Sequence, residues 1–191
     1  MKLRALVPVL LVAARLNGQA ATEPATLPAD SIVSLLRGGG LVMVFRHAHT
    51  DRSKMDEQNF SMTDRATQRN LSEQGVQQAT HIGERVRALH VPIGQVYASP
   101  MFRTVESATY AFGRADTTEL LRARGSSEEA RALLTQAVPG GENRVLVTHN
   151  AYFHRHLETT LGGATIAEGD AVIVRPLGSQ FEVLGRIRVD D

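Results

Sequence analysis

Apolar residues in this chain fall into short unbroken runs and longer spaced series, with polar, glycine-bearing stretches between them. Leu41-Val42-Met43-Val44-Phe45 and Val145-Leu146-Val147-Thr148 are unbroken and rich in β-branched residues, which predicts buried strands over 41–45 and 144–148. Val76, Ala79, Ile82, Val86 and Leu89 instead recur at helical spacing after Ser72, a capping residue, and stop before Pro92. A strand at Val96-Tyr97-Ala98 follows, and Ser99-Pro100 is expected to start a helix with Pro100 near its first turn. The remainder reads as a weak strand over 117–121, a helix from Ser127 to Ala137, the turn Pro139-Gly140-Gly141, and a helix from Asn150 to Leu161 after the strand at 144–148. Two closing strands, at 171–175 and 181–189, join through Pro176 and Gly178. Upstream, Asp30 or Ser31 can cap a short helix carrying Ile32, Val33, Leu35 and Leu36, stopped by Gly38-Gly39-Gly40.

Alternation of strands and helices is the mark of an α/β domain, and 191 residues with 42% hydrophobic content suffice for one sizeable core. A single domain over 30–191 is expected. Residues 50–70 break the alternation: they are polar, lack a sustained apolar period, and read as a long surface loop of the kind that often carries function.

The first residues follow a different rule. Lys2 and Arg4 precede the apolar stretch Ala5–Ala14, and the small residues Gly18 and Ala20 fit a cleavage site, so residues 1–20 read as a secretory signal peptide and 21–29 as a flexible leader. The apolar stretch is well short of the ~20 residues a membrane span requires. The expected location of the mature chain is periplasmic or secreted. Zero cysteines leave neither a disulfide framework nor thiolate metal ligands. Without Lys2, Arg4 and Arg15 the chain has 18 basic and 20 acidic residues, a net of −2, which gives nucleic-acid binding no support.

Candidate chemistry sits where the buried strands end. Arg46-His47-Ala48 directly follows the first run, and His149-Asn150 follows the second. Open α/β sheets bind ligands at strand ends, so two strands that each deliver a histidine imply one shared pocket. Arg103 falls on the first turn of the helix after Ser99-Pro100, where free backbone N–H groups already favour an anion. Two guanidiniums, Arg46 and Arg103, suit a tetrahedral dianion, and the anion implied is phosphate. A neutral imidazole is a competent nucleophile at phosphorus, giving a phosphohistidine that water later hydrolyses, while a second imidazole stabilises charge on the transferring group. No cofactor or metal is needed for that reaction.

Arg46-His47-Ala48, Ser99-Pro100-x-x-Arg103, His149 and the helix start Leu71-Ser72-Glu73-Gln74-Gly75 together resemble the histidine phosphatase superfamily, the phosphoglycerate mutase-like group. The resemblance implies a three-layer α/β/α sandwich with a mostly parallel central sheet. It also implies that His47 accepts the phosphoryl group, Arg46 and Arg103 bind it, and His149 completes the pocket. Arg46-His47-Ala48-x-x-Asp51-Arg52-Ser53, Ser107-Ala108-Thr109-Tyr110 and Thr148-His149-Asn150 are similar to exported bacterial members such as the lipopolysaccharide core heptose phosphate phosphatase. A small phosphorylated substrate, a sugar phosphate or part of the lipopolysaccharide core, is the partner that follows.

The chain departs from that pattern at the proton donor. Acid-phosphatase relatives carry Asp directly after the second histidine, where this chain has Asn150. Mutase-like relatives use a Glu after the third strand, and here Glu119, Glu128 and Glu129 are available, with Glu128 the candidate. Arg52 is a candidate phosphate ligand, with a solvent-exposed pair to Asp51 as its other reading, and Asn150 is a candidate substrate contact. His47-Ala48-His49 with His149 also has the spacing of a three-histidine zinc site, which the flanking arginines oppose by charge. A non-catalytic phosphoryl-ligand binder that kept the pocket without the donor acid is the competing class, while export removes the usual metabolic substrates of a mutase.

Overall fold

The computed structural model describes residues 27–122, 128–157, 161, 163 and 165–188. The signal peptide expected over 1–20 and the leader up to residue 26 lie outside the described residues, as do 158–160 of the helix expected to reach Leu161. Among the described residues no helix is long and apolar enough to cross a membrane.

Six strands form one sheet: β1 (Val42–Arg46), β2 (Ile93–Ala98), β3 (Asp116–Thr117), β4 (Asn143–Thr148), β5 (Ala171–Pro176) and β6 (Phe181–Ile187), in the order β3-β2-β4-β1-β5-β6. β1, β2, β3 and β4 pair in parallel; β5 pairs antiparallel with both β1 and β6, and is the strand that opposes the rest. Both faces are covered. Met43 and Phe45 point to a cluster with Ile32 and Leu36 of α1 (Ala29–Arg37), Ile82 and Val86 of α2 (Glu73–Ala88) and Ala108 of α3 (Phe102–Phe112). Val42 and Val44 point the other way, to Ala130 and Leu134 of α4 (Glu128–Thr135) and Tyr152 and Phe153 of α5 (Asn150–His156). Period-two alternation thus serves two cores, which is why β1 and β4 read as continuous apolar runs. The result is the expected three-layer α/β/α sandwich with a mostly parallel sheet.

Several boundaries move for identifiable reasons. Arg46 is the last residue of β1 rather than the first of a loop, because the parallel register carries it opposite Thr148. α1 starts at Ala29 after Pro28, one residue before the expected caps, and Asp30 lies in its first turn. Pro100 precedes α3, whose N-cap is Met101. The segment expected as a strand over 117–121 pairs only at Asp116–Thr117. The Thr118 side chain then accepts from Leu120 N and starts a 3-10 turn over Glu119–Leu121. Ser72 caps α2 as expected, its hydroxyl accepting from Gly75 N.

Gly75 is demanded by packing. The first turn of α2 lies so close to the loop after β1 that a Cβ at Gly75 would fall on the His49 carbonyl. Segment 50–70 is built from side chain to backbone bonds. Fully buried Gln68 donates to Ser61 O (2.7 Å) and accepts from Phe102 N (3.1 Å), which supplies the cap that Met101 lacks and ties the loop to α3.

Candidate active site

Parallel pairing of β1 with β4 aligns their C-terminal ends, so His47 and His149 emerge side by side across 102 positions of sequence. His47 N donates to Thr148 O at 3.0 Å, and the two imidazoles meet edge-on with ring centroids 5.5 Å apart. β2 lies on the far side of β4, where Ser99 N donates to Val147 O and the Ser99 hydroxyl sits 2.9 Å from His149 Nε2. Three neighbouring strand ends therefore build one floor.

Hydrogen bonding fixes the state of His47. Its Nδ1 lies 2.9 Å from the Ala48 carbonyl, an acceptor only, so Nδ1 carries the proton and Nε2 keeps its lone pair. Ala48 is held in turn by Ser107 of α3, whose hydroxyl accepts from Ala48 N. Burial disfavours the imidazolium, and the cations Arg103 and Arg46 oppose it further. They outweigh the Ala48 carbonyl and Glu168, and the ring titrates at about 3. His149 is likewise held well below the usual range, by burial first and then by Arg103 and its neighbours. Both rings are neutral near pH 7.

Arginines surround this pair. Arg46 donates to Ile166 O at 2.7 Å and pairs with Glu168 at 3.5 Å; Arg103, 7% exposed, donates to Asp56 Oδ1 at 3.0 Å and Arg69 O at 3.3 Å. Arg46, Arg69, Arg103 and Arg122 line a cavity of about 340 Å³ together with His47, His149, Asn150, Phe60 and one carboxylate, Asp56. The Nε–H groups of Arg46, Arg69 and Arg103 are buried without an acceptor. Unpaired buried donors are costly, so three of them on residues around one cavity mark a place built for an anion. A larger, mainly apolar cavity of about 420 Å³ lies between α1 and α2 and holds neither histidine of the pair.

The structure brings Arg46, His47, Arg103, His149 and Asn150 together and leaves the other candidates apart. Glu128 is exposed on the first turn of α4 and is not among the residues lining the cavity. Arg52 also stands outside it, exposed, with Nη2 3.4 Å from Glu168. The Asn150 amide reaches His154 at 2.8 Å. His49 turns away to Ser72, its Nδ1 2.7 Å from the hydroxyl, and no group of three His, Cys, Asp or Glu among the described residues is placed to hold a metal ion.

Four contributors escape a reading of the sequence: Asp56, Arg69, Arg122 and Glu168. Glu168 precedes β5, and because β5 runs antiparallel to β1, its start lies at the end of β1. There Glu168 accepts from Thr50 Oγ1 at 3.0 Å, meets Arg46 and Arg52, and stands 4.0 Å from His47 Nδ1. Burial alone would raise its titration, but the Thr50 hydrogen bond and the cations Arg46 and Arg52 outweigh it and hold Glu168 as a carboxylate. The acidic residues just before the run at 171–174 were its only signal.

Residues 42–124, the segment that carries Arg46, His47, Asp56, Arg69, Arg103 and Arg122, match the histidine phosphatase superfamily (branch 1). Solved structures extend the likeness in fold to most of the chain. SixA from Agrobacterium tumefaciens is 15% identical, with a TM-score of 0.58 over 78% of this chain and 97% of its own. A protein histidine phosphatase SixA complexed with tungstate is 14% identical, with a TM-score of 0.57 over the same shares. A phosphoserine phosphatase mutant from Entamoeba histolytica, in complex with phosphoserine, is 13% identical, with a TM-score of 0.57 over 78% and 97%. The fold shared with these structures is the phosphoglycerate mutase-like fold. No curated protein matches the chain.

Proposed function

We propose that this chain is an exported phosphomonoesterase that hydrolyses a phosphate ester through a phosphohistidine at His47. The observation that carries the reading is the edge-on pair of neutral imidazoles at adjacent parallel strand ends, set among guanidiniums whose Nε–H groups have no acceptor. Four guanidiniums against one carboxylate favour a dianion in the cavity. The phosphoryl oxygens take the donors of Arg46 and Arg103, and His47 Nε2 attacks phosphorus while the ester oxygen leaves. Water then attacks the phosphohistidine and releases phosphate. His149, neutral and tied to Ser99, stabilises charge on the transferring group.

The substrate class is a small phosphorylated molecule. Tungstate and phosphoserine in the neighbouring structures support a tetrahedral oxyanion on an organic body, and resemblance favours a sugar phosphate or lipopolysaccharide core heptose phosphate. Export rests on Lys2, Arg4, the apolar stretch after them and the small residues to Ala20. Protein recovered from the periplasm or medium of a bacterial host is expected to begin at Ala21.

The deciding assay is release of phosphate from p-nitrophenyl phosphate and a panel of sugar phosphates, with and without chelator. His47→Ala is expected to lower turnover by on the order of 10³-fold or more, and rapid quench of the unsubstituted protein to trap phosphate on His47. Turnover that survives His47→Ala would falsify the mechanism. A non-catalytic phosphoryl-ligand binder is the second reading, favoured by Asn150 at the strand end and by the position of Glu128 away from the cavity. Saturable binding of a sugar phosphate with no phosphate release over hours would select it.

A further inference from the structure

The proposed reaction requires a proton on the departing ester oxygen, and neither Glu128 nor Asn150 supplies one from where it stands. Asp56 is the one carboxyl among the described residues that lines the cavity. Residues 123–127, the segment nearest in sequence to Glu128, contain no acid. Glu168 lies on the Nδ1 side of His47, held by Arg46, Arg52 and Thr50, and is not part of the cavity lining.

We propose that Asp56 is the catalytic acid and base of this site, protonating the leaving oxygen in the first step and deprotonating the attacking water in the second. The inference rests on the phosphomonoesterase reading above. Its geometric basis is that Asp56 Oδ1 is held at two points, accepting from Arg103 Nη1 at 3.0 Å and from Arg69 N at 2.8 Å. The Asp56 carboxylate takes one arm, Nη1, of the Arg103 fork, where a phosphoryl oxygen would bind. Substrate takes that fork and sets a dianion beside the carboxylate, and a like charge at that distance favours the neutral carboxyl. A monoester entering as its monoanion supplies the proton, so its binding leaves a phosphoryl dianion on the arginines and a carboxylic acid at Asp56.

The two steps then balance. His47 Nε2 forms the N–P bond, the P–O ester bond breaks, and the Asp56 proton passes to the leaving oxygen to give an alcohol. Water forms the new O–P bond as the N–P bond breaks, and its proton returns to Asp56. The backbone bond from Arg69 N keeps the carboxyl in place when Arg103 turns to the ligand.

Dependence on the leaving group separates this role from a structural one. Nitrophenolate departs without a proton, whereas an alkoxide does not. Values of kcat/KM for p-nitrophenyl phosphate and β-glycerol phosphate are compared in the unsubstituted protein, Asp56→Asn and Asp56→Glu. Asp56→Asn is expected to lose far more on β-glycerol phosphate, widening the ratio of the two values by about 10²-fold, and Asp56→Glu to narrow it again. Inorganic phosphate binding, followed by calorimetry, confirms that each variant keeps a folded cavity. Parallel loss on both substrates, or an unchanged ratio, overturns the role of Asp56 and leaves the phosphomonoesterase reading standing. Absence of any His47-dependent turnover in the unsubstituted protein overturns both.

Discussion

The ends of β1 and β4 and the segment 50–70 supply the same cavity, and they are held there by different means. At the strand ends the backbone does the placing: the register that pairs Arg46 with Thr148 determines where His47 and His149 emerge, whatever their side chains. In segment 50–70 side chains do the placing. Gln68 spans from Ser61 to Phe102, Asp56 from Arg69 to Arg103, and Asn70 donates to Arg65 O and Gln68 O. A sheet ladder tolerates loss of a single side chain, whereas a loop of this kind fails where one anchor is removed. The proposed nucleophile is thus on the part that the backbone places, and the proposed acid is on the part that side chains hold.

Substitutions rank by how far they separate these two regions. The largest effect after His47→Ala is expected from Arg103→Lys, which keeps the charge and loses the fork that serves both Asp56 and a phosphoryl group. A fall in kcat/KM of about 10²-fold is expected, with the unfolding midpoint close to that of the unsubstituted protein. An equal loss of activity and stability would instead make Arg103 a packing residue.

Gly75→Ala tests the close approach that sets the loop after β1 against α2. Its methyl group has to push α2 away from the His49 carbonyl, at a cost of about 1–3 kcal/mol in urea unfolding. Gln68→Leu strikes the loop alone. It leaves Phe102 N and Ser61 O without their buried partner, at a cost of about 1–3 kcal/mol that falls locally. Faster hydrogen exchange over 56–69, with β1 and β4 protected as before, is the expected pattern; a uniform rise across the sheet would erase the distinction drawn above.

Mild acid is expected to have the smallest effect. His47 titrates at about 3 in the folded chain and near 6.5 when unfolded, so between those values the unfolded state binds the extra proton and stability falls as pH falls. His149, also lowered, acts in the same direction. Glu168, lowered from its ordinary value, adds stability above the usual carboxylate range that is lost at still lower pH. From pH 7 to 6 the His47 contribution is below about 1 kcal/mol. Nitrogen-15 shifts of His47 that stay those of a neutral ring from pH 7 to 5 would bear out the origin of the effect, and an imidazolium signal near pH 6.5 would refute it.

Sequence alone made Arg46, His47, Arg103 and His149 visible because each sits where a hydrophobic pattern ends, and pattern ends are what a single chain displays. Ser72 and the stop at Gly38–Gly40 were legible for the same reason, since caps and breakers act through local backbone geometry. Glu128, the candidate proton donor by sequence position, stands exposed and outside the cavity lining, because the side of α4 that its first turn presents depends on where α4 packs. Asp56, Arg69 and Glu168 lie in polar segments whose order comes from bonds to distant partners, and no periodicity marks such bonds. Above all, the direction of β5 decides that Glu168 stands beside His47, and a run of apolar residues reads the same in either direction. The sequence by itself determined the α/β class, the strand ends and the arginine and histidine side chains they carry, because those follow from local pattern and residue type. Only the tertiary structure decided which carboxylates face the pocket and which stand behind it, since that depends on strand order, strand direction and long-range hydrogen bonds.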